Sequence, residues 1–217
     1  MIEENVQEQE EFPESKPAEK ERFTDRVLTR KIILKGITFQ MVDILFTACL
    51  FILAFLIRWK LMPIESADYF GFLEPWMEAI RTNGGWRSLS MEISNYTSPY
   101  MYIMTLLSYI STNDLYALKL VSVVFDYFAA IAVLRILYHM TGNLRKSILG
   151  MAVLLLSPTV IIDSAYWCQC DIIYTSFLLY SYLYFLEDDG EKSAIFFGLS
   201  FMFKLQSVFL LPFFVIM

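Results

Sequence analysis

The sequence predicts an all-α fold, a helix bundle that crosses a membrane several times. Hydrophobic residues make up 57% of the chain and charged residues only 18%, a balance that soluble domains do not have because their surfaces need ionisable side chains. The apolar residues also come in runs long enough to cross the hydrocarbon core of a bilayer. The formal charge of -6 comes largely from the N-terminal acids, so it gives no indication of a nucleic-acid partner.

The first 35 residues differ in composition from the rest of the chain. Up to Lys20 they are rich in Glu, Gln and Pro and show no apolar periodicity, which predicts a disordered tail. Basic residues then follow, at Arg22, Arg26, Arg30, Lys31 and Lys35. By the positive-inside rule these residues place the N-terminus in the cytoplasm, and the membrane module occupies residues 36–217.

Hydropathy predicts about five spans in that module. They lie at about residues 39–57, 115–138, 147–164, 172–186 and 194–217. Arg58 to Lys60 mark the outer interface in this scheme. Because the last apolar run has no hydrophilic ending, we expect the chain to be a fragment of a longer protein.

Residues 58–114 form a long outer loop in this scheme, and two parts of it are predicted to be helical. Glu74-Pro75 is typical of a helix start, and Asn83-Gly84-Gly85 predicts its end. Pro99 to Ile110 is apolar but too short to cross a membrane. We expect it to form an interfacial helix on the outer leaflet.

The three cysteines do not form a recognisable metal or disulfide pattern. Cys49 lies in an apolar run, and Cys168 and Cys170 are spaced C-x-C within W-C-Q-C-D. A zinc site at that motif would need two further ligands, and the one histidine, His139, is predicted at the opposite membrane face. The pattern favours a protein without a structural metal.

Asp126 and Lys204 fall near the middle of predicted spans. An uncompensated charge there costs about 2.5 to 3.5 kcal/mol on insertion scales. One interpretation is that the two pair across the bundle. In the other, Lys204 and Gln206 hold an anionic lipid head group in a cavity open to the outer leaflet.

Asp68 and Asp171 are the carboxylates most suited to chemistry. Both are predicted on the outer side, and each has Trp and Tyr nearby. A sugar-binding cleft needs aromatic faces for pyranose C–H groups and acceptors for hydroxyls. The alternatives are that both acids cap helices, or that Asp68 is an ordinary loop carboxylate, and that the aromatic residues belong to an interfacial belt.

The ordered motifs over about residues 35–217 resemble the GT-C superfamily of integral membrane glycosyltransferases. They are S-A-D-Y and E-P-W in the outer loop, Gly-Gly, N-Y-T-S-P-Y, W-x-Q-x-D, and F-K-L-Q-S-V-F-L-L-P. The pattern is most similar to the bacterial branch related to glycosylphosphatidylinositol mannosyltransferases, with the protein O-mannosyltransferases more distant. Ser98 stands where the related Y-x-P-P motif often has its first proline.

The resemblance implies a reaction and a set of site residues. Such enzymes transfer a hexose, here expected to be mannose, from a polyprenyl-phosphate donor to a glycan, lipid or protein hydroxyl on the extracytoplasmic side, generally with inversion. Asp68 matches the catalytic base, and Lys204, Gln206 and Lys119 match donor-phosphate positions. The substrate-binding residues implied are Asp171, Gln169, Trp167, Tyr96, Tyr100 and Trp76.

Cofactor, location and rival functions follow from the same positions. Asp68 is not part of a D-x-D pair, which favours catalysis without a metal, a divalent cation being the alternative. The expected location is the cell membrane, with the endoplasmic reticulum as the other option. The rival functions are a transporter or flippase subunit that uses an Asp126/Lys204 pair and a non-catalytic truncated relative.

Overall fold

A computed structural model of the 217-residue chain describes residues 31–34 and 37–216. The tail up to Lys20, predicted to be disordered, lies outside this part. The described residues fall into two compact units, which divide between Ile44 and Leu45. In the first unit, strands β1 (Lys31–Leu34) and β2 (Ile37–Gln40) pair antiparallel, with Lys31 opposite Gln40. Strand β1 lies within the tail predicted to reach residue 35, and its two isoleucines are residues that favour strands.

The rest of the described chain is helical, which confirms the predicted all-α class for the membrane module. The α-helices are α1 (Met41–Leu61), α2 (Glu74–Thr82), α3 (Ser98–Ile110), α4 (Asp114–Thr141), α5 (Leu144–Leu156), α6 (Pro158–Ile161), α7 (Asp171–Leu186), α8 (Gly190–Phe203) and α9 (Leu211–Ile216). Tyr69–Leu73 and Ile162–Tyr166 form π-helical turns. Gly85–Ser90 and Leu205–Leu210 are 3-10 helices.

Local sequence signals explain the helix ends around residues 58–114, which we continue to call the outer loop after its predicted location. Pro75 lies in the first turn of α2, and Gly84 follows the helix with a positive φ of 82°. The side chain of Asn113 accepts a hydrogen bond from the backbone N–H of Tyr116 at 3.1 Å and so caps the start of α4. Gly142, with φ 62°, follows its last turn. These are the cap and stop residues that helices prefer.

Two described helices, α1 and α4, are long and apolar enough to cross a membrane. A third crossing is available if α5 and the segment Pro158–Tyr166, bent by 48°, count as one span. The chain is therefore a membrane protein with two or three candidate spans. The prediction of five is not confirmed, because α7 and α8 have 16 and 14 residues where a crossing usually takes about 20.

The last predicted span, residues 194–217, is broken at Lys204. α8 ends at Phe203, and Lys204 is extended, with φ -153° and ψ 122°. Two buried serines stabilise the break. The hydroxyls of Ser200 and Ser207 lie 2.6 Å apart across it, and the hydroxyl of Ser200 also donates to the carbonyl of Tyr174 at 2.7 Å. Hydropathy does not detect such a break, since the residues on both sides are apolar.

The outer loop folds onto the helices as a compact layer. Its π-turn, α2 and α3 share one buried cluster with the start of α4 and with residues 168–173: Tyr69, Leu73, Met77, Ile80, Tyr100, Met101, Met104, Leu115, Leu118, Cys168, Cys170 and Ile173. At the other edge, the Arg81 guanidinium forms an ion pair with Asp114 and donates to the carbonyl of Ser111 at 2.9 Å. The loop that carries Asp68 is thus packed rather than extended.

The predicted pair between Asp126 and Lys204 is wrong. The Nε of Arg58 lies 2.7 Å from Oδ2 of Asp126, both side chains are fully buried, and Lys204 pairs with Asp171 instead. Of the predicted interface residues, Arg58 is fully buried, whereas Trp59 and Lys60 are exposed. The first helix continues to Leu61, so Arg58 lies one turn inside it and faces α4.

Candidate functional site

Asp68 lies where the outer loop meets the loop between Trp167 and Asp171. The hydroxyl of Ser66 donates to the carbonyl of Trp167 at 2.8 Å and accepts the backbone N–H of Tyr69 at 3.1 Å. Asp68 occupies the position before the π-turn, yet within the described residues its carboxylate makes no capping bond. It points instead toward the loop between Trp167 and Asp171, called the second loop below.

Gln169 fixes the Asp68 carboxylate. Its Nε2 donates to Oδ2 of Asp68 at 2.5 Å, and its Oε1 accepts the hydroxyl of Tyr96 at 3.1 Å. A carboxylate can only accept here and the amide N–H₂ can only donate, so this orientation satisfies both groups. Three of the predicted site residues therefore form one hydrogen-bonded chain.

The backbone of the W-C-Q-C-D loop presents Gln169 at this point. Cys168 has a left-handed conformation, φ 64°, which costs a non-glycine residue about 1 to 2 kcal/mol. Cys168 and Cys170 are 1% and 8% exposed, so both are buried in the core, while the side chain of Gln169 between them extends to Asp68 and Tyr96. Strain of this kind is common at functional sites because surrounding contacts must maintain it.

A small cavity of about 170 Å³ opens beside the Asp68 carboxylate. It is lined by Asp68, Phe72, Leu73, Trp76, Asn95, Tyr96 and Gln169. The rings of Trp76 and Tyr96 pack edge to face with centroids 5.4 Å apart, and the ring of Phe72 lies 5.9 Å from that of Trp76. The cavity therefore combines one carboxylate and two amide side chains with an aromatic wall.

A second cavity of about 410 Å³ shares Asn95 and Tyr96 with the first. Its remaining lining residues are Thr97, Phe203, Lys204, Leu205 and Gln206. The hydroxyl of Thr97 donates to the carbonyl of Phe203 at 2.8 Å, which ties the N-Y-T-S-P-Y segment to the helix break. A carboxylate cavity and a lysine cavity therefore lie on either side of one short segment.

Lys204 is held in the second cavity by two groups on α7. Its ammonium forms an ion pair with Asp171 and lies 5.5 Å from the centre of the Tyr174 ring. Asp171 is the first residue of α7, where a carboxylate interacts favourably with the helix dipole. Both side chains of the pair remain partly exposed, so a solute anion can reach the ammonium.

Burial keeps two thiols and one phenol near the site in their neutral forms. It raises the pKa of the Cys168 and Cys170 thiols to about 12 each. Burial is also the main cause that raises the pKa of Tyr96, so its hydroxyl remains a donor to Gln169. Near neutral pH the two thiols and the phenol are therefore uncharged.

Three predicted site residues lie elsewhere. Trp167 is half exposed at the surface, and Tyr100 is buried in the core at 2% exposure. Lys119 is fully buried and donates to the carbonyls of Leu61, Met62 and Ile64. Its three ammonium N–H groups match these three acceptors, so the expectation that Lys119 faces a donor phosphate does not fit this geometry.

Asn95 and Phe72 line the site although sequence analysis did not single them out for it. Asn95 stands directly before Tyr96 in N-Y-T-S-P-Y, so the motif itself was a signal. Phe72 follows Asp68 by four residues, one helical turn, and that spacing would have found it if the segment had been treated as helical. Among the described residues there is no cluster of three or more His, Cys, Asp or Glu that could hold a metal.

Comparison with protein family models found no match to this chain, and comparison with curated proteins and with solved structures found no significant similarity.

Proposed function

We propose that this protein is a membrane glycosyltransferase that moves a hexose from a polyprenyl-phosphate donor to an acceptor hydroxyl, with Asp68 as general base. The observation that carries the proposal is the setting of Asp68. Its carboxylate is oriented by Gln169, lies in the wall of an aromatic cavity and is separated by Asn95 and Tyr96 from a cavity that contains Lys204.

The two cavities suit the two halves of such a reaction. The acceptor hydroxyl gives its proton to Asp68 as its oxygen attacks the anomeric carbon of the donor sugar. The bond between that carbon and the phosphate oxygen breaks, and the electron pair leaves with polyprenyl phosphate. The Lys204 ammonium stabilises the charge that develops on the leaving phosphate. Attack and departure on opposite faces of the carbon invert its configuration.

The walls of the Asp68 cavity support a sugar as the ligand. Trp76 and Phe72 offer apolar faces for ring C–H groups, and Asn95 and Gln169 offer polar groups for hydroxyls. A volume of about 170 Å³ gives room for a single sugar ring. Mannose is the hexose that the sequence resemblance favours.

The charges near Lys204 support a donor with one phosphate. The Asp171 carboxylate pairs with the Lys204 ammonium in the structure, and a phosphate that enters the second cavity competes with that carboxylate for the ammonium. The transporter alternative depended on a pair between Asp126 and Lys204, and these residues have separate partners. No described contact supports that alternative.

We further propose that both loops face the extracytoplasmic side. α4 has 28 residues and is about 42 Å long at 1.5 Å per residue, so it separates its two ends by a full bilayer. Asp114 at one end contacts the outer loop through Arg81. The other end leads to Arg145 and Lys146, which the positive-inside rule places in the cytoplasm. The fourth and fifth crossings stay part of this proposal.

Replacing Asp68 tests the function. The protein purified in lipid nanodiscs is offered a panel of polyprenyl-phosphate hexoses and acceptor hydroxyls, and the products are identified by mass spectrometry. We expect Asp68→Asn to lower the turnover number by about 100- to 10,000-fold, the usual contribution of a general base. Glu78→Gln is the matched control, because Glu78 is an exposed acid on α2 and should keep the wild-type rate.

Transfer by Asp68→Asn at the wild-type rate would show that Asp68 is not the base. If the wild-type protein transfers no sugar from any donor in the panel, the proposed function itself fails.

A further inference from the structure

α4 carries three buried polar residues on one face. Lys119, Ser122 and Asp126 are spaced by three and four residues, which places them in one row along a helix, and each is at most 1% exposed. Lys119 and Asp126 bond to the end of α1 and the residues that follow it, and Ser122 bonds to the loop that carries Gln169. Buried polar side chains in a candidate membrane span are costly unless they have hydrogen-bond partners. The partners of these three residues therefore show which parts of the chain α4 holds in place.

Lys119 holds the start of the outer loop. Its ammonium lies 3.3, 3.2 and 2.5 Å from the carbonyl oxygens of Leu61, Met62 and Ile64. α1 ends at Leu61, and the last carbonyls of a helix lack partners within the helix. A cation there satisfies them and interacts favourably with the negative end of the helix dipole. Ile64 precedes Asp68 by four residues, so Lys119 fixes the point from which Asp68 extends.

Ser122 holds the second loop. Its hydroxyl donates to the backbone carbonyl of Gln169 at 2.7 Å, and the backbone N–H of Gln169 donates to the carbonyl of Asp163 at 3.0 Å. Lys119 and Ser122 lie one turn apart on a rigid helix. The separation between the two loops is therefore set by the geometry of α4.

We propose that Lys119 and Ser122 are positioning residues that hold Asp68 and Gln169 in register, so that the Gln169 amide orients the Asp68 carboxylate for proton transfer. This inference rests on the proposed function. Lys119 and Ser122 act through the loops and do not contact the substrate themselves. Loss of either should lower the turnover number more than it raises the KM for the donor.

The first test needs no enzymatic activity. Cys168 and Cys170 flank Gln169 and are buried, so their reaction with a maleimide, followed by peptide mass spectrometry, reports whether the loop opens. We expect Ser122→Ala to speed this reaction by about tenfold, which corresponds to the loss of one hydrogen bond. The control is Ser181→Ala, because Ser181 is also buried and donates to a backbone carbonyl, that of Ser193, at 2.9 Å. It should leave the rate unchanged.

The second test is a double-mutant cycle on turnover. Ser122→Ala alone should lower the turnover number by about tenfold, and it should cause no further loss in the Gln169→Ala background, because residues that act through one another are not additive. Lys119→Met should also lower turnover, and Lys119→Arg should restore part of it. The turnover number of both variants is compared with that of Ser181→Ala, which is the control for an equal loss of thermal stability.

The outcomes separate the two proposals. Equal maleimide rates in Ser122→Ala and the wild-type protein, or full additivity with Gln169→Ala, would overturn the positioning role even if Asp68 proves to be the base. If Ser122→Ala is labelled faster but the wild-type protein transfers no sugar, Ser122 does hold the second loop in place and the proposed glycosyltransferase function is refuted.

Discussion

Gln169 uses all four of its polar groups. Its backbone N–H and C=O bond to Asp163 and Ser122, and its side-chain amide bonds to Asp68 and Tyr96. An amide bonded through both its oxygen and its nitrogen has little rotational freedom, so it presents a fixed N–H to the carboxylate. Such fixed donors lower the reorganisation that a reaction requires. The orientation of the Asp68 carboxylate therefore depends on the neutral side chain of Gln169.

The two thiols beside Gln169 should make stability sensitive to high pH. Burial raises the pKa of Cys168 and Cys170 to about 12, above the value of about 8.5 for an exposed thiol. The folded state then holds the protons more tightly than the unfolded state. This stabilisation is fully present below pH 8.5 and is lost as pH rises toward 12. Within that window each thiol should lower the free energy of unfolding by up to about 1.4 kcal/mol per pH unit.

Thermal unfolding in detergent between pH 7 and 11 measures this loss. The comparison is with Cys168→Ala/Cys170→Ala, because tyrosines and lysines titrate in the same range and remain in both proteins. We expect a shallower decline with pH in the double variant. Parallel curves for the two proteins would mean that the thiols ionise as readily in the folded state as in the unfolded state.

At the scale of elements, the site depends on the break between α8 and the following 3-10 helix. The extended backbone at Lys204 lets its side chain turn into the second cavity, whereas a continuous helix would have carried Lys204 within a span. The bond from the Thr97 hydroxyl to the carbonyl of Phe203 joins this break to the segment that separates the two cavities.

Thr97→Val should therefore weaken donor binding. The substitution keeps the shape of the side chain but removes the hydroxyl, and loss of one such bond costs about 1 kcal/mol. We expect the KM for the polyprenyl-phosphate donor to rise by about fivefold, with a smaller change in the turnover number. Thr141→Val is the control, since the Thr141 hydroxyl donates to the carbonyl of Leu137 within α4, at the end of the helix remote from Asp114. A donor KM that moves equally in both variants would argue against a specific role for Thr97.

The elements differ in how far the sequence predicts them. Pro75 and Gly84 bound α2 as expected, because caps and stops are local signals. The break at Lys204 was missed, since it depends on Thr97, Ser200 and Ser207, whose partners are distant in sequence or lie across the break. The meeting of Asp68 with Gln169 follows in outline from placing both loops on one side of the membrane. The loop that carries Gln169 also contains the left-handed Cys168, a conformation for which a cysteine gives no signal.

At the scale of the whole molecule, the bonds of Arg58 and Asp126 join four helical elements. Arg58 on α1 bonds to Asp126 on α4 and donates to the carbonyl of Leu155 on α5 at 3.0 Å. Ser164, in the second π-turn, donates to the same carboxylate oxygen at 2.6 Å. The sequence identified Asp126 as a buried charge but not its partner, because the choice of partner depends on how the helices pack.

This pair should be the polar contact on which the assembly of the helices depends most. Removing one partner leaves the other as an uncompensated buried charge, at a cost of about 3 to 5 kcal/mol, whereas replacing both with apolar residues of similar volume is often neutral. Arg58 Nη2 and Asp126 Oδ1 already lack partners within the described part of the chain, so the pair is under-satisfied even when intact. We expect Asp126→Leu to be strongly destabilising and Arg58→Met/Asp126→Leu to recover most of the loss.

Unfolding in mixed detergent micelles with increasing dodecyl sulfate gives the free energy for each variant. Glu187→Gln is the control, because the pair between Arg135 and Glu187 is partly exposed and should contribute at most about 1 kcal/mol. Ser164 keeps a second bond, to the carbonyl of Val160, so the double variant leaves its hydroxyl satisfied. If the double variant is as unstable as Asp126→Leu, the stability of the bundle comes from the bonds of the Arg58 guanidinium to the backbone carbonyls of Ala54 and Leu155, and the carboxylate is needed only to neutralise it.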